Sequence, residues 1–175
     1  YRIESAAAGA GNVVQLLGSG AILREVREAA TLLRADFGVD ADVWSLTSIN
    51  ELRRDGLDAE RWNMLNPLQE ARVPWITRQL EGAGGPVIAA TDYIKAYADS
   101  LRAFIRQRFT ALGTDGFGRS DTRALLRHFF EVDRHFVVIA ALRALAQEGR
   151  IEAGVVAEAI RRFGIDPAKP NPAQV

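Results

Sequence analysis

The sequence predicts an α/β fold in which a five-stranded, mixed sheet is followed by a helical C-terminal segment. Short apolar runs alternate with amphipathic helical patterns, as in proteins whose strands are covered on both faces. Residues 6–11 join the first two strands, and this connection is too short for a helical crossover. Beyond Ser120, every apolar repeat has helical spacing.

Five segments are predicted to be strands, namely residues 1–5, 12–18, 42–47, 86–91 and 108–113. The run Val-Val-Gln-Leu-Leu at 13–17 is typical of a strand that is buried on both faces. Strands that are joined through helices can run parallel, whereas the first two are joined without one. We therefore expect the first strand to be antiparallel in an otherwise parallel sheet.

Helical patterns fill the intervals between these strands. Residues 22–37 place a stripe of apolar side chains on one face, namely Ile22, Leu23, Val26, Ala29, Ala30, Leu33 and Phe37. Ser48 and Glu51 have the spacing of a capping box, so a helix is predicted after the third strand. Trp62 and Trp75 lie in this long crossover, and we expect both to pack into the core, with a contact surface as the alternative. Asp92 is predicted to cap another helix that turns its apolar side chains inward, namely Ile94, Tyr97, Ala98, Leu101, Phe104 and Ile105.

The C-terminal segment is predicted to contain three helices, at residues 120–130, 133–148 and 152–163. Gly149 and Gly164 follow the last two helices, in the position where glycine commonly ends a helix. Three prolines come next, namely Pro167, Pro170 and Pro172. Residues 1–165 are therefore expected to form one domain and residues 166–175 an extended, Pro-rich surface tail.

The composition of the 175 residues argues against several functions. The absence of cysteine excludes disulfides, thiolate nucleophiles and Cys-ligated metal sites. Basic and acidic residues number 22 each and no basic stripe is visible, so we expect no nucleic-acid partner. No apolar run approaches the roughly 20 residues of a membrane span, and we expect a soluble, cytoplasmic protein without a membrane partner. The chain starts at Tyr1 rather than Met, which indicates a piece of a longer protein.

Two clusters could carry chemistry, but a structural role explains each of them better. Gly18-Ser19-Gly20 follows a buried strand, where backbone N–H groups could hold a phosphate, yet Leu23 replaces the third glycine of a dinucleotide fingerprint. A tight turn is the favoured interpretation. His128, Glu131 and His135 could ligate a metal, but a predicted helix cap at Asp133 separates the two histidines. We predict no catalytic, cofactor-binding or metal-binding residue.

The loop at residues 113–121 is the most unusual segment of the chain. It follows the last strand, at the edge of the sheet where α/β proteins bind ligands. Its glycines permit close backbone approach, and phenylalanine and arginine are favoured at interface cores. We predict an interface formed by Asp115, Gly116, Phe117, Gly118 and Arg119. A rigid loop that leads to a helix cap at Ser120 is the nearest alternative, and ligand binding is a weaker one.

Six sequence blocks occur in a fixed order, at residues 15–20, 26–30, 60–65, 91–93, 112–121 and 130–133. With them the chain resembles, over essentially its whole length, the C-terminal domain of the homodimeric, bacterial type of pyruvate dehydrogenase, its thiamine-diphosphate-dependent decarboxylating component. The block Leu-Gly-Thr-Asp-Gly-Phe-Gly-Arg-Ser-Asp at 112–121 is specific to that group. The strand–Gly-Ser–helix unit is shared with transketolases. The chain departs from many members of the family at Asn66 and Phe129, where histidine is common.

The resemblance implies the fold of the transketolase C-terminal domain, a three-layer sandwich with one antiparallel strand. It also implies a parent enzyme that decarboxylates pyruvate and acetylates the lipoyl group of a dihydrolipoyl acyltransferase. Thiamine diphosphate and Mg²⁺ would be held by the two preceding domains, so this chain alone is expected to bind neither and to be inactive. The implied partners are those domains, the dimer mate and the acyltransferase core of the multienzyme complex.

Two alternatives remain open. A related 2-oxo-acid dehydrogenase or another transketolase-family enzyme could share this C-terminal pattern. A stand-alone module for small molecules would use the loops at 18–20, 47–48, 91–92 and 113–118. That module predicts a concave pocket with convergent polar groups at the carboxyl edge of the sheet.

Overall fold

Five strands form one mixed sheet in the order β1-β3-β2-β4-β5. The computed structural model describes all residues, 1–175. The strands are β1 (Arg2–Glu4), β2 (Asn12–Gly18), β3 (Val39–Ser45), β4 (Val87–Ala90) and β5 (Phe109–Leu112). β1 pairs antiparallel with β3, and every other pair is parallel. The prediction of a mixed sheet with an antiparallel first strand is confirmed.

Seven α-helices surround this sheet. They are α1 (Leu23–Phe37), α2 (Ile49–Leu65), α3 (Trp75–Leu80), α4 (Lys95–Asp99), α5 (Arg123–Phe129), α6 (Arg134–Gln147) and α7 (Ala153–Arg162). Short 3₁₀ turns occupy Gly20–Ile22, Arg102–Phe104 and Pro172–Gln174. None of the helices combines the length and the apolar character needed to cross a membrane.

The core consists of two apolar clusters, one on each face of the sheet. Successive side chains of a strand point to opposite faces, so Val14 and Leu16 join one cluster and Leu17 joins the other. The first cluster packs β2, β3 and β4 against α1, α6 and α7. The second packs the sheet against α2, α3 and α4. This arrangement is the expected three-layer sandwich.

The third strand begins earlier than the sequence indicates, at Val39 instead of residue 42. Gly38, with a φ of +62°, ends α1 and turns the chain directly into β3. Asp40 lies in the part of β3 that was not predicted. It binds Arg34 of the preceding helix, with 2.7 Å between Arg34 Nε and Asp40 Oδ1.

The predicted cap at Asp92 is wrong. The helix starts at Lys95, whose backbone N–H donates to the Asp115 carboxylate at 2.8 Å. Ile94 was expected to face the core but is 59% exposed, because it precedes the helix. The rest of the predicted helix is broken into α4 and the 3₁₀ turn at Arg102–Phe104. Its apolar positions from Ala98 onward are nevertheless buried, namely Ala98, Leu101, Phe104 and Ile105.

The predicted cap at Ser120 is also wrong. Helix α5 begins at Arg123, and Thr122 is the residue whose hydroxyl accepts the Leu125 N–H, at 3.4 Å. Serine and threonine are both favoured at helix N-caps, so residue type alone does not choose between Ser120 and Thr122. The loop that begins after β5 therefore stays irregular for longer than predicted, and residues 116–125 are all exposed.

A chain of buried hydrogen bonds crosses the sheet on the α2–α4 side. The indole Nε1 of Trp44 donates to Gln15 Oε1 at 2.8 Å, and Gln15 Nε2 donates to Asp42 Oδ2 at 2.8 Å. Gln15 Nε2 also lies 3.0 Å from the Gly84 carbonyl oxygen. The other Asp42 oxygen accepts the N–H of Ala6, at 3.1 Å. Because every buried polar atom finds a partner, the group holds the centre of β2 to β3 and to the first connection.

Candidate contact surface at the carboxyl edge of the sheet

The loops that follow β2 to β5 meet at one edge of the sheet, where backbone hydrogen bonds tie them together. The Ser19 N–H donates to the Ala90 carbonyl at 3.1 Å, and the Leu46 N–H donates to the Gly18 carbonyl at 2.9 Å. A Cβ added to Gly18 would lie 2.8 Å from the Cα of Leu23. The Gly-Ser-Gly turn is therefore tight because helix α1 fills the space beside it, as the sequence interpretation expected.

The first half of the predicted interface loop is bonded inward. Thr114 donates its N–H to the Tyr93 carbonyl at 2.9 Å and its hydroxyl to the Asp92 carbonyl at 2.8 Å. A Cβ on Gly113 would lie 2.5 Å from the backbone nitrogen of Lys95, so only glycine allows this approach. Asp115 caps α4 through the same nitrogen. These residues attach the loop to the segment after β4.

The second half of the loop carries its exposed aromatic side chain. Gly116 has a φ of +106° and lies directly against the Pro172 carbonyl oxygen, which leaves no room for a Cβ. Phe117 is 83% exposed. Gly118 has open space around it, and the Arg119 guanidinium stacks over the Phe129 ring at 4.1 Å. Of the five predicted interface residues, Phe117 is thus the one whose large apolar side chain projects into solvent.

Two further exposed apolar residues lie at the same edge, in the segment after β4. Tyr93 and Ile94 are both exposed, and the Tyr93 ring packs on Tyr97 with 5.0 Å between centroids. We refer to Tyr93, Ile94 and Phe117 as the edge surface. Neighbouring exposed apolar side chains are typical of surfaces that contact another protein. Sequence reasoning missed Tyr93 and Ile94, because the predicted cap at Asp92 placed them in a helix with an inward face.

The family of this fold follows from residues 1–133, which match the family model described as "Transketolase-like TK C-terminal domain". The chain belongs to this family. The transketolase-like domain is 60% identical over 173 residues to the pyruvate dehydrogenase E1 component of Pseudomonas aeruginosa. It is 53% identical over 173 residues to the protein of the same name in Escherichia coli K12. The two alignments cover 98% of this chain but only 20% and 19% of the relatives, so the chain spans about a fifth of their length.

Among solved structures, the transketolase-like domain is similar to a "split gene transketolase, inactive beta4 tetramer". The TM-score is 0.56 at 17% sequence identity, and the match covers 78% of this chain and 40% of that one. Similarity at this level supports the fold alone.

The candidate metal ligands of the transketolase-like domain are not brought together. His128 Nδ1 lies 2.9 Å from Asp133 Oδ2, whereas His135 stacks on the Phe163 ring with 4.4 Å between centroids. Glu131 binds Lys169. The chain contains no cluster of three side chains suited to a metal ion. In the Gly-Ser-Gly turn the Ser19 N–H already donates to the Ala90 carbonyl, and a Cβ on Gly20 would lie 3.4 Å from Asp92 Oδ1, so a carboxylate stands where a diphosphate would bind.

A buried carboxylate that sequence reasoning missed connects the first helix with the C-terminal helices. Glu25 is 4% exposed, and its two oxygens accept from Arg127 Nη1 at 2.8 Å and from Arg134 Nε at 2.9 Å. Burial alone would raise the pKa of the Glu25 carboxyl. The hydrogen bonds and charge of Arg134, together with the charge of Arg127, outweigh burial and lower this pKa below its usual value.

An open groove of about 1410 Å³ lies beside this ion group. Its wall includes Gly20 and Ala21 from the loop after β2 but no residue of the loops after β3, β4 and β5. Several of its charged side chains bind one another, as Glu25 does with both arginines. The pocket expected for a stand-alone small-molecule module, built from all four loops, is not what this groove provides.

A second exposed apolar surface lies at the end of α2. Asn63 holds the following loop through both backbone groups of Arg72, with its Oδ1 2.7 Å from the Arg72 nitrogen and its Nδ2 2.9 Å from the Arg72 oxygen. Leu68 at the tip of this loop is 96% exposed. Trp75, which was expected in the core, is also exposed, because α3 begins with it. Trp62 is half-buried beneath the Arg72 guanidinium.

Proposed function

We propose that this chain is the C-terminal assembly domain of a pyruvate dehydrogenase E1 component. The observation that carries the proposal is 60% identity to a relative of that name across 98% of the chain. The parent enzyme would be a thiamine-diphosphate-dependent, cytoplasmic homodimer that decarboxylates pyruvate and acetylates the lipoyl group of an acyltransferase core. Its other domains would hold thiamine diphosphate and Mg²⁺, which would supply the carbanion chemistry. The isolated chain would be inactive.

The edge surface is the part of this domain that we propose for contact with the rest of the enzyme. Phe117 projects from a loop whose backbone is bonded at Thr114 and packed at Gly116. An aromatic side chain on a fixed base loses little conformational freedom on binding and buries a large apolar area. These properties suit a permanent contact between domains or subunits.

A titration of the isolated chain tests the expectation that it does not bind the cofactor. Thiamine diphosphate with Mg²⁺ is titrated into the purified 175-residue chain in a calorimeter, and pyruvate consumption is assayed in parallel. We expect no saturable heat and no turnover, because the side chains of this chain do not assemble a site for either ligand. Stoichiometric binding of the cofactor would overturn the assignment of this domain to assembly.

The contact role is tested in the full-length enzyme that contains this domain. Phe117→Ala is expected to shift the dimer–monomer equilibrium toward monomer by at least tenfold in sedimentation velocity. Leu68→Ala is the matched control, because it truncates an equally exposed apolar side chain on the other surface. If Leu68→Ala weakens the dimer and Phe117→Ala does not, the contact lies on the α2 side and the proposed role of the edge surface is wrong.

A further inference from the structure

We infer that the C-terminal residues 166–175 are part of the edge surface, with Lys169 as the positioning residue that anchors them beside the loop at 113–119. What the surface binds rests on the proposed function. The anchoring itself rests on contacts within this chain.

Lys169 is held more tightly than a surface lysine ordinarily is. Its side chain is only 18% exposed. The ammonium group donates to the Phe129 carbonyl at 2.8 Å and to Glu131 Oε1 at 3.0 Å. It also lies 5.4 Å and 5.6 Å from the ring centres of Phe129 and Phe136, within the range of cation–π attraction. Two of the three ammonium donors thus go to a carbonyl and a carboxylate, and the charge lies near two aromatic rings.

The backbone beneath the anchor is in an uncommon conformation. Glu131 has a φ of +61° and is the only non-glycine residue of the chain with a positive φ. A residue other than glycine occupies this region only where surrounding contacts require it. At Glu131 the conformation places a carboxylate and the Phe129 carbonyl within reach of one ammonium group. The turn between α5 and α6 is thereby shaped to receive Lys169.

From Lys169 the chain leads directly to the predicted interface loop. Asn171 Oδ1 accepts the N–H of Ala173 at 3.0 Å and starts the last 3₁₀ turn, and Pro172 is buried. The Pro172 carbonyl lies against Gly116. The position of the loop next to Phe117 therefore depends on where the tail lies.

The Phe129 ring is a second point at which the tail and the loop come together, because each places a cationic side chain near it. The Arg119 guanidinium lies 4.1 Å from the ring centre, and the Lys169 ammonium lies near the same ring. Gly116 touches the tail itself, whereas Arg119 touches the Phe129 ring that Lys169 also approaches. Removing the tail would free the loop at Gly116.

The surface beside the tail presents the exposed Phe117 ring. Its occupant on the proposed function is the dimer mate. The relatives are about five times longer than this chain, so they contain the polypeptide for such a contact. A largely apolar partner surface fits Phe117 best, because burial of an aromatic ring supplies most of the gain.

Hydrogen exchange on the 175-residue chain tests the anchoring. The variants are Lys169→Met, a chain that stops after Ile165, and Lys169→Arg as the conservative replacement. Arg143→Met removes an exposed positive charge elsewhere and is the matched control. We expect the amides of Thr114 and Lys95 to exchange at least tenfold faster in Lys169→Met and in the shortened chain. Lys169→Arg should retain most of the protection, and Arg143→Met all of it.

The amides of β2 report whether each variant is folded. Unchanged protection of Thr114 and Lys95 in Lys169→Met, with β2 intact, would overturn the inference. If the shortened chain unfolds, Lys169→Met and its rescue by arginine decide the result.

Dimer formation by the full-length enzyme separates this inference from the proposed function. Both are supported if Lys169→Met weakens the dimer as Phe117→Ala does. If Phe117→Ala weakens it and Lys169→Met does not, the tail is not part of the surface and the inference fails while the proposed function stands. If neither variant affects the dimer although Lys169→Met accelerates exchange at Thr114, the proposed contact is wrong and the anchoring remains.

Discussion

Two charged groups hold parts of the C-terminal segment in place, and they differ in how completely they are withdrawn from water. Glu25 on α1 lies inside, between Arg127 and Arg134. Lys169 in the tail lies near the surface, on Glu131 and the Phe129 carbonyl. The first group joins secondary-structure elements that pack as a core, since α1 lies against α6. The second supports an irregular loop.

This difference in burial distinguishes residues that stabilise the fold from residues that can contact another protein. Replacing a buried carboxylate that pairs with two arginines leaves both positive charges without it, so the replacement disturbs the whole domain. The loop around Phe117 is exposed, and its side chains can change with little effect on folding. Exposed side chains of this loop, such as Phe117, are available for binding, because the domain does not need them to fold.

The largest effect is expected for Glu25→Ala. It leaves Arg127 and Arg134 facing one another without their carboxylate, and we expect a loss of about 3 kcal/mol in the free energy of unfolding. Glu28→Ala is the control, because Glu28 is more exposed and lies 3.4 Å from Arg134 as a single ion pair. Its expected loss is below about 1 kcal/mol. Urea denaturation measures both, and equal losses would show that the Glu25 group is an ordinary surface pair.

A smaller loss is expected for Gly113→Ala at the base of the loop. The added Cβ would lie within 2.5–2.7 Å of backbone atoms of Lys95 and Tyr93, which cannot move without displacing α4. We expect a loss of about 2 kcal/mol, as is typical of overpacked sites. Gly118→Ala in the same loop meets no atom within 4 Å and should change stability by less than about 0.5 kcal/mol. Thermal unfolding of the two variants compares them, and a neutral Gly113→Ala would contradict the close approach.

A pH effect smaller again is expected from Glu25. The folded-state pKa of its carboxyl lies below the usual value of 4.5, so the unfolded chain binds this proton more readily than the folded one. The stabilisation is present above about pH 4.5 and is lost as the pH falls through the folded-state pKa. One proton contributes at most about 1.4 kcal/mol per pH unit to this slope. Urea midpoints from pH 6 to 3 should fall more steeply in the wild type than in Glu25→Gln, and parallel curves would contradict the pKa direction.

The smallest effect on stability is expected for Phe117→Ala. The ring makes few contacts within the chain, so the free energy of unfolding should change by less than about 0.5 kcal/mol. A loss of 2 kcal/mol or more in chemical denaturation would place Phe117 among the structural residues and remove the contrast with Glu25. Unchanged stability of this chain, together with a weakened dimer of the full-length enzyme, would support a contact role for Phe117 in contrast to the structural role of Glu25.

The sheet could be predicted because its central strands have a simple physical signature. The run at 13–17 is almost entirely apolar, and the strand predicted around it, residues 12–18, has the bounds of β2. The start of β3 could not be predicted, because Asp40 resembles a loop residue until its partner is known. That partner, Arg34, comes from the preceding helix.

The candidate site could be predicted only in part. Glycines around a phenylalanine and an arginine marked the loop, and Phe117 is exposed as an interface residue would be. Asp92 and Asp115 are both aspartates that follow a strand, and the one that caps α4 is decided by how closely Gly113 approaches Lys95. That distance is a tertiary property, and local sequence does not contain it.

The role of Glu25 is even less accessible to prediction from local sequence. Glu25 stands beside Val26 on an amphipathic helix, where a glutamate ordinarily faces solvent. Its two arginines lie more than a hundred positions further along the chain. No local pattern distinguishes a carboxylate that will be buried by such distant partners from one that stays in water.

The polar side chain in the middle of β2 has a consequence for how the sheet assembles. Apolar residues on both faces of a strand make neighbouring alignments nearly equal in burial, so slippage by one position would cost little. Gln15 removes this ambiguity, because its amide finds Asp42, Trp44 and the Gly84 carbonyl only when the strands are aligned as Gln15 opposite Asp42. In any shifted alignment the amide would be buried without partners. One glutamine thus fixes the alignment of β2 with β3.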